Sequence, residues 1–593
     1  MKATGHNLWP FLFVPAKEIG RFKAAGTMFF ITKEERLMKS GAQILLDCLK
    51  QEGVDTIFGY PGGRSLLVHD ALMDDKEIRH ILVRHEQGAA HAADGYARTT
   101  GKVGVCLTTS GPGATNLVTG IATAYMDSVP MVALTCQVPT AEIGNDAFQE
   151  ADMAGITRPI TKHNYVVTDV KDLARVIHEA FYIARTRRPG PVLIDLPSDV
   201  LGAKIKPLTY TPAKRRGYQE MPTLNHNQLK RAADLINKAK RPLIYAGGGI
   251  TLSNSSDKLR AVAQKGQIPV THTLMGIGIM DPKSPLSVGM LGMYGAWYAN
   301  QAVGECDCLI AIGVRFDDRV TGKVASFAPK AKVIHFDIDP SSIRKVVQGG
   351  VPVVCDAAEA LEQLIDLIEE KDHSEWLAQI DGYKEKFPLP RPERDHLAPH
   401  EVMEAIAAVA GDTPVVASDV GLSQMWTANY LPFAGPRQYI TSGGLGTMGF
   451  ALPAALGAAL GNPDRPIFAI NGDGAFQMNC QELATCAQYQ IPVKCIILNN
   501  GKLGMVRQFQ RVLMKNRYAS TCLGHRVDFC MVSEGFGVKA LRVEDKSDLL
   551  AVLQQAMAIP GPVVVEVPIH PDTYAFPMVL PGSDATQMVF DAD

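Results

Sequence analysis

The most regular feature of the chain is an alternation of short β-branched runs with longer segments rich in alanine and leucine. The short runs are apolar throughout, and the longer segments repeat their apolar positions with a helical period. This alternation is typical of parallel α/β architecture, because strands covered by helices on both faces lose the polar alternation of a half-exposed strand. The clearest strand candidates are VGVCLTT (103–109), PMVALTC (130–136), PVLIDLP (191–197), PLIYAGG (242–248), CLIAIGV (308–314), VIHFDI (333–338), PVVASDV (414–420), PIFAING (466–472), CIILNN (495–500) and PVVVEVP (562–568).

An internal sequence repeat indicates how these strands are grouped into domains. The stretch ARTRRPGPVLIDLPSD (184–199) resembles AMAIPGPVVVEVPIHPD (556–572): a helix end, P-G-P-V, a buried strand and an acid-proline exit. Two similar domains therefore bracket a third, and polar, proline-bearing linkers at 206–222 and 385–399 separate them. We predict three doubly wound parallel-sheet domains, with an extension at one end and a tail at the other: 1–37 (N-terminal extension), 38–205, 222–372, 395–575 and 576–593 (C-terminal tail).

Composition narrows the class of protein without identifying it. The chain has 593 residues, which is too long for a single core, and it is 46% hydrophobic and 20% charged with a formal net charge of −2. Such a balance gives no reason to expect nucleic acid or a membrane surface as a partner. No apolar run approaches the roughly 18–20 residues that a membrane span needs. The 11 cysteines form no C-x-x-C pair, which indicates reduced thiols and a cytoplasmic protein.

The first chemical signal is Asp473 in NGDGAFQMN (471–479), directly after the apolar run PIFAI. By itself, G-D-G after a strand is most often a turn. However, 24 residues separate Gly474 from Asn499, a length that fits one strand–helix–strand crossover. Both strand ends would then lie side by side at the carboxyl edge of a sheet, where ligands bind. Because Mg²⁺ prefers carboxylate, amide and phosphate oxygens, Asp473 and Asn500 predict a magnesium site of the thiamine diphosphate type.

A second signal is Glu86 in HILVRHEQGAAHAADGYART (80–99), where a buried strand passes into an alanine-rich helix. A carboxylate favoured by a helix N-terminus is the alternative interpretation. Thiamine diphosphate enzymes need a carboxyl group that protonates the aminopyrimidine ring of the cofactor. The position of Glu86 and the spacing of Asp473 and Asn500 indicate the same cofactor. We therefore predict that Glu86 is this acid.

Several glycine-rich loops follow other strands. TSGPGATN (109–116) and SGGLGTMGFALPAA (442–455) either cradle a phosphate or make tight turns, and Met448 in the second either supports a planar cofactor ring or belongs to the core. In the middle domain, GGG (247–249) and GVRFDDRVTG (313–322) favour an adenine dinucleotide, although G-x-G-x-x-G is absent. The Arg-Asp-Asp-Arg cluster is also typical of surface salt bridges.

Taken together, these motifs resemble acetohydroxyacid synthase (acetolactate synthase), a family of thiamine diphosphate enzymes. The resemblance implies pyrimidine-binding, FAD-binding and diphosphate-binding domains, and thiamine diphosphate, Mg²⁺ and FAD as cofactors. It also implies a homodimer or tetramer with each thiamine diphosphate between two subunits, and it allows for a small regulatory subunit. It runs from about residue 38 to 590 through GYPGG (59–63), RHEQGAA (84–90), QVPTAEIGNDAFQE (137–150), ITKHNYVV (160–167), RFDDRVTGK (315–323), SGGLGTMGF (442–450), MNCQELAT (478–485) and LGMVRQ (503–508).

The resemblance also implies roles for individual residues. Glu86 would be the cofactor-activating acid, Gln149 would lie near the reacting centre, and Arg319 would pair with the carboxylate of the second ketoacid. Met505 and Phe509 would line the acceptor pocket. The implied metal positions are Asp473, Asn500 and Lys502. The implied thiamine diphosphate positions are Gly446, Met448, Gly472, Gly474 and Ala475. The implied positions for FAD, which would be structural rather than redox-active, are Gly248, Thr273, Leu274, Met275, Gly313, Arg315, Asp318 and Asp337.

The implied reaction is decarboxylation of pyruvate and transfer of its two-carbon unit to a second 2-ketoacid, pyruvate or 2-ketobutyrate, in the biosynthesis of valine, leucine and isoleucine. Four alternatives stay open: a related carboligase or decarboxylase with another acceptor, the FAD-free acetolactate synthase, a pyruvate oxidase that uses FAD for redox chemistry, and a catalytically silent scaffold. RFDDRVTG matches the flavin-bearing type.

Five residues depart from the family pattern. Phe509 stands where tryptophan is common in the acceptor pocket, and Arg64 stands where a small alanine is usual near the substrate channel. Leu422 and Ser423 replace a Gln-His pair associated with the diphosphate, and Tyr294 replaces a histidine near FAD. These departures leave the predicted core chemistry intact and place acceptor choice on Phe509 and Arg64.

Overall fold

The described residues of the computed structural model are 38–207, 218, 220–524 and 526–591. They form three parallel sheets of six strands, each flanked by helices, which confirms the predicted α/β architecture. The predicted N-terminal extension (1–37) and part of the first linker lie outside the described residues. The domain boundaries proposed from the sequence stay a prediction.

The first sheet has the strand order β2-β1-β3-β4-β6-β5. Its strands are β1 (Thr56–Tyr60), β2 (Arg79–Leu82), β3 (Gly104–Thr108), β4 (Met131–Gln137), β5 (His163–Val166) and β6 (Pro191–Pro197). Its helices are α1 (Gly41–Gln51), α2 (Leu66–Asp74), α3 (Glu86–Thr100), α4 (Pro112–Thr115), α5 (Val118–Asp127), α6 (Met153–Thr157), α7 (Val170–Arg185) and α8 (Ser198–Gly202).

The middle sheet has the order β9-β8-β7-β10-β11-β12. This is the 3-2-1-4-5-6 order of dinucleotide-binding sheets, with a switch point between the first and fourth strands. Its strands are β7 (Pro242–Ala246), β8 (Val270–His272), β9 (Ser287–Met290), β10 (Cys308–Ile312), β11 (Lys332–Asp337) and β12 (Val351–Val354). Its helices are α9 (His226–Lys238), α10 (Gly248–Leu252), α11 (Ser256–Lys265), α12 (Trp297–Glu305), α13 (Asp318–Thr321), α14 (Ala357–Leu367) and α15 (Ser374–Lys386).

The third sheet has the order β14-β13-β15-β16-β18-β17. Its strands are β13 (Val415–Ser418), β14 (Tyr439–Thr441), β15 (Ile467–Gly472), β16 (Val493–Asn499), β17 (Lys539–Arg542) and β18 (Val563–Pro568). Its helices are α16 (Pro399–Ala410), α17 (Leu422–Tyr430), α18 (Ala451–Gly461), α19 (Asp473–Asn479), α20 (Glu482–Tyr489), α21 (Gly504–Leu513), α22 (Phe529–Gly535) and α23 (Leu549–Ala558).

The first and third sheets are copies of one topology. In each, the second strand lies at one edge, and the sixth strand is inserted between the fourth and the fifth. The two copies of the internal sequence repeat form β6 and β18, which occupy this same inserted position. The repeat therefore reflects a duplicated domain topology, as the sequence predicts.

Helices α3 and α18 join the first and third sheets into one hydrophobic core. The two helices approach so closely that a Cβ on Gly95 would clash with the carbonyl of Ala454, and a Cβ on Gly457 would clash with that of Ala92. Small residues at such a crossing let the backbones come together. Although α18 is strongly apolar, it has only 11 residues, and none of the described helices is long and apolar enough to cross a bilayer.

The C-terminal segment folds back onto the middle sheet. Its strands Met578–Val579 and Met588–Val589 form an antiparallel pair. The Val579 N–H donates to the Met293 carbonyl at 2.8 Å, and the Lys323 N–H donates to the Ser583 carbonyl at 2.9 Å. The described part of the predicted tail is therefore hydrogen-bonded to segments of the middle domain next to Arg319.

We predict that Gly457→Ala destabilises the protein sharply. The added methyl group would meet backbone atoms of α3, which cannot move aside as a flexible side chain can, so we expect a loss of about 3 kcal/mol or more. Thermal and urea denaturation of the full chain measure the change.

The matched control is Gly382→Ala in α15, where a Cβ meets no atom within 4 Å. This control should be neutral or stabilise by up to about 1 kcal/mol, because alanine is the better helix former. Equal melting temperatures for the two variants would contradict the close helix contact.

Candidate active site

Glu86 is the first residue of α3, where the first sheet meets its glycine-rich loops. The extended backbone of His85 ends the preceding segment, and its Nδ1 accepts the Gln87 N–H at 3.1 Å, which caps the helix. The Glu86 Oε2 atom accepts a hydrogen bond from Asn116 Nδ2 at 2.9 Å. A carboxyl group at a helix N-terminus with one amide partner is thus held in a defined orientation.

Gln149 lies beside the same glycine-rich loop. It has a left-handed backbone (φ +61°), and a Cβ on Gly111 would lie 2.9 Å from its Cβ. A Cβ on Gly113 would lie 3.3 Å from Glu86 Oε1. The glycines of TSGPGATN therefore let Glu86 and Gln149 approach one loop, and the structure brings these two predicted residues together.

A buried glutamate of the third domain anchors the start of α3. Glu482 Oε1 accepts the backbone N–H groups of Arg84 at 3.0 Å and His85 at 3.1 Å, and its Oε2 accepts the hydroxyl of Thr485 at 2.7 Å. Burial raises the pKa of Glu482 to about 7, and these hydrogen bonds act in the opposite direction. Glu482 thus fixes the backbone of the two residues that precede Glu86, the first residue of α3.

Asp473 begins α19 at the end of β15, which lies next to β16 in the third sheet. The predicted neighbouring strand ends are therefore confirmed, with two helices in the crossover instead of one. Burial raises the pKa of Asp473 to about 6, although backbone N–H groups of the strand ends lower it. Among the described residues, no lysine or arginine forms an ion pair with this carboxylate. A cavity of about 430 Å³ opens beside it.

The loop after β16 lies beside Asp473, since the backbone N–H groups of Asn500 and Gly501 are among those that lower the pKa of this carboxylate. Asn499 lines the same cavity as Asp473, and its Nδ2 donates a hydrogen bond to Glu566 Oε1 at 2.7 Å. Asn500 Oδ1 accepts the Lys502 N–H at 3.0 Å, which closes a tight turn. The Lys502 ammonium donates to Cys522 Sγ at 2.9 Å, so the backbone carbonyl is the atom of Lys502 that suits a metal ion.

The loop at 442–449 is anchored by a buried carboxylate that the sequence did not single out. Asp419 accepts the N–H groups of Gly449 at 3.0 Å and Ala451 at 2.9 Å, and its burial raises its pKa to about 6. A Cβ on Gly474 would lie 3.7 Å from Met448 Cε. Met448 therefore lies next to the predicted diphosphate positions Gly472, Gly474 and Ala475, and Gly446 (φ +72°) forms the turn before it.

Met505 and Phe509 lie one turn apart on α21, so they share a face. Both are half-buried against the core of the third domain. Gln508 holds the helix in place, since its side chain exchanges two hydrogen bonds with the backbone of Ala575, at 2.7 and 3.1 Å. The two side chains thus form one apolar face of α21 that packs against this core.

Arg319 lies at the start of α13, in the middle domain. Asp317 caps this helix by accepting the Arg319 N–H at 3.0 Å. The Arg319 side chain is 62% exposed, and the nearest carboxylate is that of Asp318 at 3.8 Å. Arg319 Nη1 also donates to Met293 Sδ at 3.7 Å. The RFDDR segment therefore offers an exposed guanidinium with two long contacts rather than a closed salt-bridge set.

The predicted flavin positions cluster at the switch point of the middle sheet. The Gly249 N–H donates to the Gly313 carbonyl at 3.2 Å, and the Thr273 N–H to the Ala246 carbonyl at 2.9 Å. Thr273 Oγ1 is buried and has no hydrogen-bond partner among the described residues. Gly248, Leu274, Met275 and Arg315 belong to the same loops. Asp337 is buried at the end of β11, whereas Asp318 is 82% exposed.

The predicted residues thus fall into separate groups at the ends of different sheets. One group contains Glu86 and Gln149, and another contains Asp473, Asn500 and Met448. In the described part of the chain, no hydrogen bond or ion pair joins Glu86 to Asp473 or Asn500.

Comparisons with known proteins agree with this division. Residues 39–156 match the N-terminal TPP (thiamine pyrophosphate) binding domain of thiamine pyrophosphate enzymes, residues 229–364 their central domain, and residues 419–567 their C-terminal TPP binding domain. The first of these segments contains Glu86, and the last contains Asp473 and Asn500.

Curated relatives cover nearly the whole chain. The acetolactate synthase large subunit of Parasynechococcus marenigrum is 48% identical over 93% of this chain and 91% of its own length. The acetolactate synthase large subunit of Corynebacterium glutamicum is 46% identical over 93% and 90%, respectively. The isozyme 1 large subunit of Escherichia coli is 44% identical over 94% and 99%. The chain belongs to the acetolactate synthase family of thiamine pyrophosphate enzymes.

Glu86 lies in the segment that matches the N-terminal TPP (thiamine pyrophosphate, also called thiamine diphosphate) binding domain, and Asp473 lies in the segment that matches the C-terminal one. Glu482 holds the residues just before Glu86, and Asp419 holds the 442–449 loop next to Gly474. The sequence did not reveal Glu482, Asp419 or Asn116 as supports of the site, because the hydrogen-bond partners that they hold there lie 30 or more residues away in the chain.

We predict that Glu482→Gln changes how stability depends on pH. The pKa of Glu482 is raised in the folded state, so folding binds a proton and the wild type loses stability as pH rises from about 4.5 to about 7. The loss is at most roughly 3 kcal/mol. Glutamine does not titrate, so the melting temperature of the variant relative to the wild type should rise from pH 5 to pH 8.

The control is Glu534→Gln, an exposed position on α22 of the same domain, whose melting curve should parallel that of the wild type. A constant difference between Glu482→Gln and the wild type across this pH range would reject the interpretation.

Proposed function

We propose that this chain is the catalytic large subunit of an acetolactate synthase. It would decarboxylate pyruvate and join the two-carbon unit to a second 2-ketoacid, pyruvate or 2-ketobutyrate, in branched-chain amino acid biosynthesis. The observation that carries this proposal is the 44–48% identity to acetolactate synthase large subunits along more than nine-tenths of the chain. The geometry of the predicted residues supports it at each step.

The donor set around Asp473 suits Mg²⁺. A buried carboxylate without a protein cation is costly. Asp473 lies beside the loop that carries Asn500 and Lys502, and the Asn500 amide and the Lys502 carbonyl would supply two further hard oxygen ligands. The glycines on either side, Gly472 and Gly474, leave the backbone open to a diphosphate. These residues would hold Mg²⁺ and the diphosphate of the cofactor.

Bound thiamine diphosphate supplies a nucleophilic carbon and accepts the electrons that are released with CO₂. The part of the protein is to place a proton donor at the aminopyrimidine ring, and Glu86 is the carboxyl group held for that purpose by Asn116. Gln149 lies beside the same loop and would hydrogen-bond the reacting groups. Met448 would support the cofactor, since its methyl group already lies near Gly474.

Arg319 would bind the carboxylate of the second ketoacid. Its exposed guanidinium has two long contacts, to Asp318 at 3.8 Å and to Met293 Sδ at 3.7 Å. A planar guanidinium matches a carboxylate with two parallel hydrogen bonds. Met505 and Phe509 would form the apolar side of that pocket. Together they would select the ketoacid by charge at one end and by size at the other.

The middle domain would bind FAD. Its strand order is that of a dinucleotide-binding sheet, and the close glycine contacts at the switch point fit an approaching phosphate backbone. The unpartnered Thr273 hydroxyl is a donor and an acceptor in the expected place. The flavin would be structural, held by the loops of Gly248, Thr273 and Gly313.

A second copy of the chain would complete the site. Glu86 and Asp473 belong to different clusters, and large apolar side chains are exposed near both. Phe148 is 83% exposed beside Gln149, and Met478 is 53% exposed on the helix of Asp473. Such surfaces are typical of interfaces, so we propose a homodimer or a larger assembly, with a small regulatory subunit as a further partner. All eleven cysteines are free, in keeping with a cytoplasmic location.

Incubation of the purified chain with pyruvate, thiamine diphosphate and Mg²⁺ should release CO₂ and form 2-acetolactate. Glu86→Gln should lower this activity by about 10²–10⁴-fold, the usual contribution of a positioned acid, and should leave thiamine diphosphate binding by calorimetry within a few-fold of the wild type.

The control is Glu77→Gln, an exposed glutamate of the same domain, which should keep full activity. Full carboligation by Glu86→Gln at saturating cofactor would refute the role of this acid. Acetate formation with reduction of the flavin by pyruvate would instead point to an oxidase.

Phe509→Trp should alter the choice of acceptor. A larger aromatic ring in the apolar wall changes one pocket contact, worth about 1–2 kcal/mol, so the ratio of 2-aceto-2-hydroxybutyrate to acetolactate should change by about 5–30-fold. Competition between pyruvate and 2-ketobutyrate measures this ratio. Val512→Ile on the same helix is the control, and an unchanged ratio in Phe509→Trp would exclude the residue from the acceptor pocket.

A further inference from the structure

The loop that carries Gly446 and Met448 is held from outside its own domain by α5. The carboxylate of Asp127 accepts the N–H of Gly443 at 2.9 Å and that of Gly444 at 2.7 Å. One turn earlier on α5, the Thr123 hydroxyl hydrogen-bonds that of Thr447 at 2.8 Å. Two residues on one face of α5 thus anchor both ends of the segment 443–447.

Asp127 belongs to a buried charge network. Arg98, in the last turn of α3, donates to Asp127 Oδ2 at 2.9 Å and also pairs with Asp94. Neither carboxylate side chain is accessible to solvent. Although burial by itself lowers the pKa of Arg98, the two carboxylates raise it above its usual value. The guanidinium is therefore permanently charged, and it fixes the orientation of Asp127.

The same two glycines touch the predicted flavin positions of the middle domain. A Cβ on Gly443 would clash with the sulfur of Met275, and a Cβ on Gly444 would lie 3.1 Å from Arg315 Nη2 and 2.9 Å from Asp127 Oδ1. Gly443 and Gly444 therefore lie between residues that would contact FAD on one side and α5 on the other. Four residues after Gly444, the chain reaches Met448.

We propose that the Thr123–Asp127 face of α5 is a positioning element that couples FAD binding in the middle domain to thiamine diphosphate binding in the third. This inference rests on the proposed flavin and thiamine diphosphate sites. FAD would hold Met275 and Arg315 in one arrangement, and these residues would press the 443–447 segment against α5. Asp127 and Thr123 then hold that segment, and Met448 with it, in the position that supports the second cofactor.

In this arrangement, a structural flavin would help to position the 443–447 segment. Each cofactor would bind more tightly when the other is present, because the second to bind meets a loop that is already ordered. The coupling must be reciprocal, since it is a difference of binding free energies. Without the Asp127 carboxylate, the Gly443 and Gly444 N–H groups lose their shared acceptor, and the two sites become independent.

The test is calorimetric titration of thiamine diphosphate, with Mg²⁺ present, into the full chain with and without bound FAD. In the wild type, FAD should tighten thiamine diphosphate binding by a factor of about 5–150, and thiamine diphosphate should tighten FAD binding by the same factor. In Asp127→Asn, both factors should fall to about 1, even when each cofactor alone still binds.

The matched control is Asp94→Asn, which removes the other buried carboxylate from Arg98 without touching the loop. This control should lower the melting temperature and keep the coupling factor within about two-fold of the wild type. If Asp127→Asn does not fold, Thr123→Val is titrated in the same way and should also reduce the factor, whereas Thr123→Ser should retain it.

The outcomes separate the inference from the function on which it rests. A wild type that binds no FAD overturns both the flavin site and the coupling. A wild type that binds both cofactors with a coupling factor of 1 overturns the coupling alone. If the coupling factor in Asp127→Asn equals that of the wild type, α5 does not couple the two sites; Thr123→Val decides this in the same way if Asp127→Asn does not fold. If Asp94→Asn loses as much coupling as Asp127→Asn, the loss reflects general destabilisation, and this result also overturns the proposed role of α5.

Discussion

The close contact between α3 and α18 is the constraint on which the arrangement of the molecule depends. At Gly95 and Gly457 the two helices meet backbone to backbone, and their alanine-rich faces merge the cores of the first and third sheets. Because α3 begins at Glu86 and ends near Arg98, this contact fixes both an acid of the first domain and the network that holds the 443–447 segment. A shift of either helix would move all of these groups together.

Buried carboxylates then position the loops that the helix contact brings close. Asp419, Glu482 and Asp127 each accept two backbone N–H groups of a loop distant in sequence. A buried N–H group without a partner costs about 1–3 kcal/mol, so a carboxylate that satisfies two of them is a strong constraint on a loop. Burial opposes ionisation, as the raised pKa values of Asp419 and Glu482 show. The hydrogen bonds from the loop N–H groups act in the opposite direction and favour the ionised carboxylates.

The sequence predicts this fold well at the centre of each sheet and less well at its edges. Central strands such as β6 and β16 are buried on both faces and read as continuous apolar runs, whereas edge strands such as β14 and β17 are short and mixed and were not among the clear candidates. The spacing of Gly474 and Asn499 predicts neighbouring strand ends because it depends only on crossover length. Glu482 and Asp127 could not be found in this way, since their partners lie hundreds of residues away and only the folded chain identifies them.

Two of the departures from the family pattern, Arg64 and Leu422, have local partners in the structure. The Arg64 guanidinium pairs with Glu142 at 3.3 Å, and its backbone N–H donates to the Thr109 hydroxyl at 3.2 Å. A half-exposed pair of this kind is worth about 0–1 kcal/mol, so Glu142 holds the Arg64 side chain only weakly. Leu422 is buried against Gly504, which substitutes apolar packing for polar contact behind the Asn500 turn. The altered residues thus change the surroundings of the proposed site while Glu86, Asp473 and Asn500 keep their local supports.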